Sequence, residues 1–211
     1  MIITDIVKFT VGRNKNKTAY KIFVDDEFSF LLYSQDIKAY RLEVGTEITP
    51  LLYDRIITET VYRRAKQKAL AILKHMDRTE KELYIKLKDA YYTDDIINRT
   101  IEYLKEYNYI NDERYAMNYI RLKKGIQSSL AIKTKLNQKG INKEIIEKII
   151  TKEYNESSED IDYEILAINK AIHKKHRNPH DLSREDKQKL VASLYRKGFS
   201  IDKIRKCLNS I

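Results

Sequence analysis

The stretch Leu136-Asn-Gln-Lys-Gly-Ile-Asn-Lys-Glu-Ile-Ile146 decides the fold, because the chain repeats it. It returns as Leu194-Tyr-Arg-Lys-Gly-Phe-Ser-Ile-Asp-Lys-Ile204, and a degraded copy, Leu87-Lys-Asp-Ala-Tyr-Tyr-Thr-Asp-Asp-Ile-Ile97, lies earlier. Each copy reads as the end of one helix, a tight turn and the start of the next. One helical turn before the leading leucines stand Leu83, Ile132 and Leu190, on the same face. Six residues after them come Thr93, Asn142 and Ser200, suited to capping a new helix. Asp95, Glu144 and Asp202 then fall in its first turn, where the helix dipole favours a carboxylate. Ile97, Ile146 and Ile204, then Ile101, Ile150 and Leu208, line the inner face. Gly140 and Gly198 sit where a helix ends in the left-handed conformation. The first copy has Tyr91 there, so its turn is expected to close differently.

Flanking segments complete each unit. A helix over residues 112–124 carries Tyr115, Tyr119 and Leu122 on one stripe, and another over 162–175 carries Ile165, Ile168, Ala171 and Ile172. Thr79-Glu-Lys-Glu82 is a capping box, and Ser183-Arg-Glu-Asp186 a weaker one. Units of three short helices are expected to share one continuous core, and such a stack works as an extended surface more readily than as a catalytic cleft. Residues 154–160 read as a polar joint and 176–183 as a longer loop.

The first fifty residues differ. Val7, Phe9 and Val11, then Tyr20, Ile22 and Val24, then Phe28, Phe30 and Leu32 alternate with polar neighbours around a turn-rich stretch at 12–18. This predicts a three-stranded meander with one apolar face, too small to stand alone. A short helix over 34–42 and a turn at Val44-Gly45 follow. Thr49-Pro50 opens a helix running to Met76 without Gly or Pro, about 40 Å long if unbroken. The expected class is mainly α: three tandem three-helix repeats in an elongated curved array, preceded by a small antiparallel sheet. The expected segments are 1–49 (sheet), 50–110 (connecting helix and first repeat), 111–159 (second repeat) and 160–211 (third repeat).

The net charge of +10 is unevenly placed. Residues 1–59 hold 8 Lys and Arg against 9 Asp and Glu, whereas residues 60–211 hold 33 against 22. A positive surface spread over all repeats attracts nucleic acid or an acidic protein; its bland reading is solubility. The single cysteine, Cys207, forbids an internal disulfide and is expected to be a small buried apolar residue. The start of the chain lacks a signal-peptide layout and no apolar run reaches a membrane span, so a cytoplasmic protein without a membrane role is expected.

The joined stretch Arg78-Thr-Glu-Lys-Glu-Leu-Tyr-Ile-Lys-Leu87 through Tyr109-Ile-Asn-Asp-Glu-Arg-Tyr-Ala116 resembles the RecX family of RecA regulators. Glu82, Leu83, Lys86, Leu87, Leu104, Tyr109, Asp112, Arg114 and Ala116 stand in step with the family pattern, and Lys139-Gly140-Ile141 adds a second signature. The likeness covers roughly residues 55–211. Asn108 replaces a frequent Gly, Ser128-Ser129 a Gly-Pro, Ala90-Tyr91 a Lys-Gly, and Ala131 a common Arg, which touches local turns and one basic contact. The resemblance implies a non-enzymatic protein that lies along the RecA–single-stranded DNA filament and opposes its growth and ATP hydrolysis.

Candidate contacts lie first in the middle repeat: Arg121, Lys123, Lys124, Lys133, Lys135 and Lys139. Lys133 and Lys135 cannot share one face with Ile132 and Leu136 inward. Arg63, Arg64, Lys66 and Lys68 form a second basic cluster. Either set could meet phosphates, or be an ordinary solvated face. The sixteen tyrosines invite base stacking, but Tyr103, Tyr115 and Tyr119 have core-like spacing. His173, His176 and His180 are spaced as metal ligands could be, yet Pro179 interrupts them and no Cys joins. The chain has no phosphate-binding Gly-rich loop and no credible Ser/His/Asp set, so no cofactor, metal or enzymatic activity is expected. The expected partners are the RecA filament and single-stranded DNA, with non-specific duplex binding as a further option, and the chain is expected to act as a monomer. The rival readings are a transcription-factor-like DNA reader and a helical adaptor.

Overall fold

The computed structural model describes residues 1–11, 17–155, 161–176 and 182–210. The turn-rich stretch, the polar joint and the longer loop expected at 12–18, 154–160 and 176–183 fall largely outside them. The described residues form two compact units, Met1–Ile110 and Asn111–Ile211.

In the first unit, β1 (Ile3–Val11), β2 (Lys17–Val24) and β3 (Glu27–Tyr33) form an antiparallel sheet in the order β1-β2-β3. Asp25 and Asp26, both at positive φ (50° and 68°), make the two-residue turn between β2 and β3. Such turns follow the right-handed twist of the strands they join. The expectation of a single apolar face needs correcting. The register sets Ile6 opposite Ile22, and Ile22 opposite Phe30, whereas Phe9 lies opposite Ala19, and Ala19 opposite Tyr33. Val7, Phe9 and Val11 therefore occupy the opposite face from Ile22 and Phe30. Ile6 and Val7 are both apolar, so alternation alone allows either choice, and a slip of one residue exchanges the faces.

Helix α1 (Ser34–Tyr40) follows, then a helical run that comprises α2 (Pro50–Arg55), a π-helical segment (Ile56–Tyr62) and α3 (Arg63–His75). Thr49 Oγ1 accepts the Leu52 N–H at 3.2 Å, so the expected start holds. The unbroken α-helix does not. Ile56 and Ala65 are nine residues apart, half a turn out of phase at about 100° per residue, yet both are fully buried. The wider π turn brings them into one core, with Val61 between. Tyr40 Oη and Thr60 Oγ1, 2.7 Å apart, tie α1 to this segment. The run does connect sheet to first repeat: Ala65 packs with Ile22 and Phe30, Ala69 with Leu83 and Ile97.

Helix α3 together with α4 (Glu80–Lys88) and α5 (Asp94–Glu106) makes the first three-helix domain. In the second unit, α6 (Asp112–Lys123), α7 (Ser129–Gln138) and α8 (Lys143–Asn155) make the second. Helices α9 (Tyr163–Lys175), α10 (Arg184–Arg196) and α11 (Ile201–Asn209) make the third. The aligned residues Leu83, Ile132 and Leu190, and Leu87, Leu136 and Leu194, are all buried. The three turns close alike, with Tyr92, Ile141 and Phe199 donating N–H to the carbonyls of Leu87, Leu136 and Leu194 at 3.2, 3.2 and 3.3 Å. Tyr91 does not close its turn differently. It adopts φ +65° where Gly140 and Gly198 have +91° and +85°. Its ring meets Phe9 edge-on at 5.3 Å and lies 4.4 Å from Lys21 Nζ, contacts that offset a left-handed backbone costing about 1–2 kcal/mol. Asn108 is also left-handed, at φ +55°.

The capping box at Thr79 and Glu82 is formed in both directions, at 3.2 and 3.3 Å. Ser183 Oγ accepts the Asp186 N–H at 3.1 Å. Asn142 and Ser200 cap with their side chains, whereas Thr93 holds the capping position without such a bond. The expected continuous core is corrected too. Each three-helix domain closes its own apolar cluster, around Leu87, Leu136 and Leu194 respectively. Three crossing helices with an inward residue at every turn already exclude water without a neighbour. Cys207 is buried as expected, and burial pushes its thiol pKa up.

Candidate nucleic-acid interface

Close contacts of two turns join the second and third three-helix domains. Ser128, the N-cap of α7, accepts the Ala131 N–H at 3.1 Å and donates its hydroxyl to the Lys197 carbonyl at 2.6 Å. The α10–α11 turn comes so close that a Cβ on Gly198 would stand 2.9 Å from Ser128 Oγ and 3.1 Å from Leu130 Cβ. Only glycine meets both demands there, the positive φ and the close approach. The α6–α7 turn likewise meets α9: a Cβ on Gly125 would lie 3.0 Å from Leu166 Cδ2. Lys203 binds the Asp162 and Glu164 carboxylates at the start of α9, at 2.9 and 3.1 Å.

Beside this junction lies a cleft of about 800 Å³. Lys135 from α7, Lys170, Lys174 and Lys175 from α9, and Lys197 from the α10–α11 turn line it, and no Asp or Glu does among the described residues. All five lysines are exposed, and none makes an ion pair among the described residues. Five like charges around one cleft repel one another, and a polyanion placed there would relieve that repulsion. Tyr119 and Phe199 give the cleft apolar wall. Tyr119 is stacked on Tyr115, 6.5 Å apart and 10° from parallel, and burial raises its phenol pKa.

The residues singled out in the middle repeat do not gather. Arg121 and Lys124 both turn to Glu153, at 2.7 and 3.3 Å, and Lys124 Nζ also lies 4.9 Å from the Tyr163 ring. Glu153 is almost fully buried, and its pKa is lowered by the Arg121 hydrogen bond first and by Lys124 second, against the opposing effect of burial. Lys133 binds Glu147 at 2.5 Å, and Lys139 Nζ sits 5.2 Å from the Tyr115 ring. Lys123 is half-buried. Lys133 and Lys135 diverge, one toward α8 and the other into the lysine cleft.

The second basic cluster is divided as well. Arg64 grips the buried Asp36 through its two terminal guanidinium nitrogens, Nη1 and Nη2, at 2.5 and 2.8 Å, and that hydrogen bonding raises its pKa. Lys66 Nζ lies 4.6 Å from both the Tyr62 and Tyr103 rings. Arg63 and Lys68 are exposed. Lys170, Lys174, Lys175 and Lys197 were missed by the sequence reading. The i, i+4 spacing of Lys170 and Lys174 was a usable signal, but the turn that brings Lys197 beside them is a tertiary contact. No group of His, Cys, Asp and Glu suited to a metal occurs among the described residues, and His180 lies outside them. No described helix is long and apolar enough to cross a membrane.

Residues 65–104, 111–149 and 162–208 match family models described as the first, second and third three-helix domains of RecX, more than half of the chain together. The chain is similar to "Regulatory protein RecX" of Caldanaerobacter subterraneus subsp. tengcongensis, 32% identical over 210 residues that span 99% of each chain. It is similar to the protein of that name from Clostridium acetobutylicum, 31% identical over 95% of this chain and 93% of the other. Two crystal structures resemble its fold. One of regulatory protein RecX has TM-score 0.63 at 23% identity, covering 99% of this chain and 100% of that one. One of RecX from Lactobacillus salivarius has TM-score 0.55 at 26% identity, covering 71% and 95%.

Proposed function

From the premise that the chain belongs to the RecX family of regulatory proteins, we propose that it binds the RecA–single-stranded DNA filament and restrains its assembly, ATP hydrolysis and strand exchange. RecA as partner follows from the family resemblance. The lysine cleft of the second unit is the observation that carries the nucleic-acid half of the reading: five exposed cations on one wall system, with no ion pair and no acid beside them among the described residues. It is a place for phosphates, and the protein acts there by binding, as a monomer in the cytoplasm, without chemistry of its own. Duplex binding through the same lysines is sequence-independent, because phosphate contacts carry no base information.

The decisive measurement is DNA-dependent ATP hydrolysis by RecA. Substoichiometric protein is expected to suppress it and to shorten filaments. Lys135→Glu with Lys174→Glu is expected to weaken suppression about tenfold or more, with the helical signal unchanged, since each lost phosphate contact also reduces the salt slope by about 0.7 for a single strand. If excess protein leaves hydrolysis and filament length untouched, the reading fails. A large preference for one duplex sequence would instead favour a DNA reader.

A further inference from the structure

The first unit contains a second cleft, of about 830 Å³, between the sheet and the first three-helix domain. One wall is the sheet face that carries Phe9 and Tyr33; the other is α3 with Lys68 and the α4–α5 turn with Tyr91. Lys17 and Lys86 add to its cationic lining, and Asp89 is the only acid in it among the described residues. Lys17, Lys68 and Lys86 are exposed and have no ion pair among the described residues, whereas Arg64, also at the cleft, is held by Asp36. The rings are fixed in place. Lys21 Nζ lies 4.4 Å from Tyr91 and 5.2 Å from Phe9, and the Arg64 guanidinium lies 5.1 Å from Tyr33. Tyr91 keeps its ring here at a left-handed position that two sister turns fill with glycine.

We propose that this cleft holds a short run of single-stranded nucleic acid, with bases against Phe9, Tyr33 and Tyr91 and phosphates at Lys17, Lys68 and Lys86. It extends the nucleic-acid half of the function proposed above, and it gives the N-terminal sheet a task. Prepositioned aromatic rings beside unpaired cations form the combination that binds unstacked bases and their backbone together. Charge complementarity demands an anion, and the planar walls select one with planar groups. A duplex presents phosphates outward and keeps its bases stacked, so it would leave the rings unused. An acidic peptide would satisfy the lysines alone.

The test uses the full-length chain, a fluorescent 15-mer of oligo(dT) and no RecA. Lys68→Glu with Lys86→Glu is expected to weaken anisotropy-detected binding at least tenfold and to lower the salt slope by about 1.4. Tyr91→Asn keeps a side chain that tolerates positive φ and is expected to weaken binding about fivefold or more. Photocrosslinking of a 5-iodouracil oligonucleotide to the unaltered protein should place adducts on peptides containing Phe9, Tyr33 or Tyr91, a readout independent of any variant's folding. Wild-type binding by both variants, with adducts confined to the second unit, would overturn the proposal and leave the filament reading standing. So would competition by poly-glutamate as effective as by oligo(dT) at equal charge. Loss of RecA suppression with these adducts present would sink the filament reading instead.

Discussion

Glu153 shows how a charge read as a contact surface becomes part of the interior. Arg121 and Lys124 look in sequence like a basic helix end, but both turn to a carboxylate 32 and 29 residues further on. Local pattern carries no signal for such a pairing, because periodicity reports which face a residue occupies and not what closes over it. The pKa of Glu153 is lowered in the fold, chiefly by the Arg121 hydrogen bond. A carboxylate so shifted contributes stability that is fully present above its ordinary pKa of about 4.3 and is lost as pH falls through the lower folded value. Removing one partner of a buried pair costs about 3–5 kcal/mol, and since Arg121 is half exposed we discount that to about 2 kcal/mol. Glu153→Gln should therefore lose about 2 kcal/mol in urea titrations at pH 7. The gap to wild type should shrink below about pH 4.3, where the carboxylate of the unfolded chain begins to protonate while the folded one is still ionised, and close as pH falls through the lower folded value. A gap that is constant from pH 7 to pH 3 would show that the ion pair is not its source.

Among elements, the three turns between the second and third helices were the most legible part of the chain. Their leading leucines, capping residues and first-turn acids all lie where the spacing put them. The misreadings at this scale share a cause, a local pattern with two solutions. Ile6 beside Val7 fits either sheet face, and the nine-residue gap from Ile56 to Ala65 signals a wide turn only once both are known to be buried. Tyr91 is the third case, since a non-glycine residue at positive φ reads as a broken motif until Phe9 and Lys21 are seen against its ring. The left-handed turn positions should therefore respond unequally to substitution. Gly140→Ala should destabilise by about 1–2 kcal/mol, because φ +91° is a left-handed backbone that an L side chain adopts only at a cost. Tyr91→Gly relieves a similar backbone cost but loses an edge-on ring pair and a cation contact, so its stability should stay within about 1 kcal/mol of wild type. Stabilisation by Tyr91→Gly equal to the loss in Gly140→Ala would mean the ring contributes nothing.

For the molecule as a whole, the sequence disclosed that every repeat is basic, but not which cations remain available. Much of the charge is engaged: Arg64 by Asp36, Lys133 by Glu147, Lys203 by Asp162 and Glu164. Five cations without an ion pair among the described residues gather in the cleft where the Lys197-Gly198 turn reaches the second three-helix domain. The expected single core also gave way to separate ones, and this has a consequence for folding. The clusters around Leu136 and Leu194 contain no residue before Tyr115, and Ser128 to Lys197 joins them within the second unit. The division at Ile110 and Asn111 leaves Ile110 in the core around Leu87 and keeps the Asn111 cap, whose Oδ1 accepts the Arg114 N–H at 2.9 Å. A fragment comprising residues 111–211 should therefore fold alone, with a helical circular dichroism spectrum and a cooperative urea transition, and should retain the five-lysine cleft. Starting the fragment at Tyr115 instead removes the cap and the first turn of α6, and should lower stability by at least about 1 kcal/mol. A broad, non-cooperative melt of the 111–211 fragment would show that the first unit supplies stability its own two cores lack.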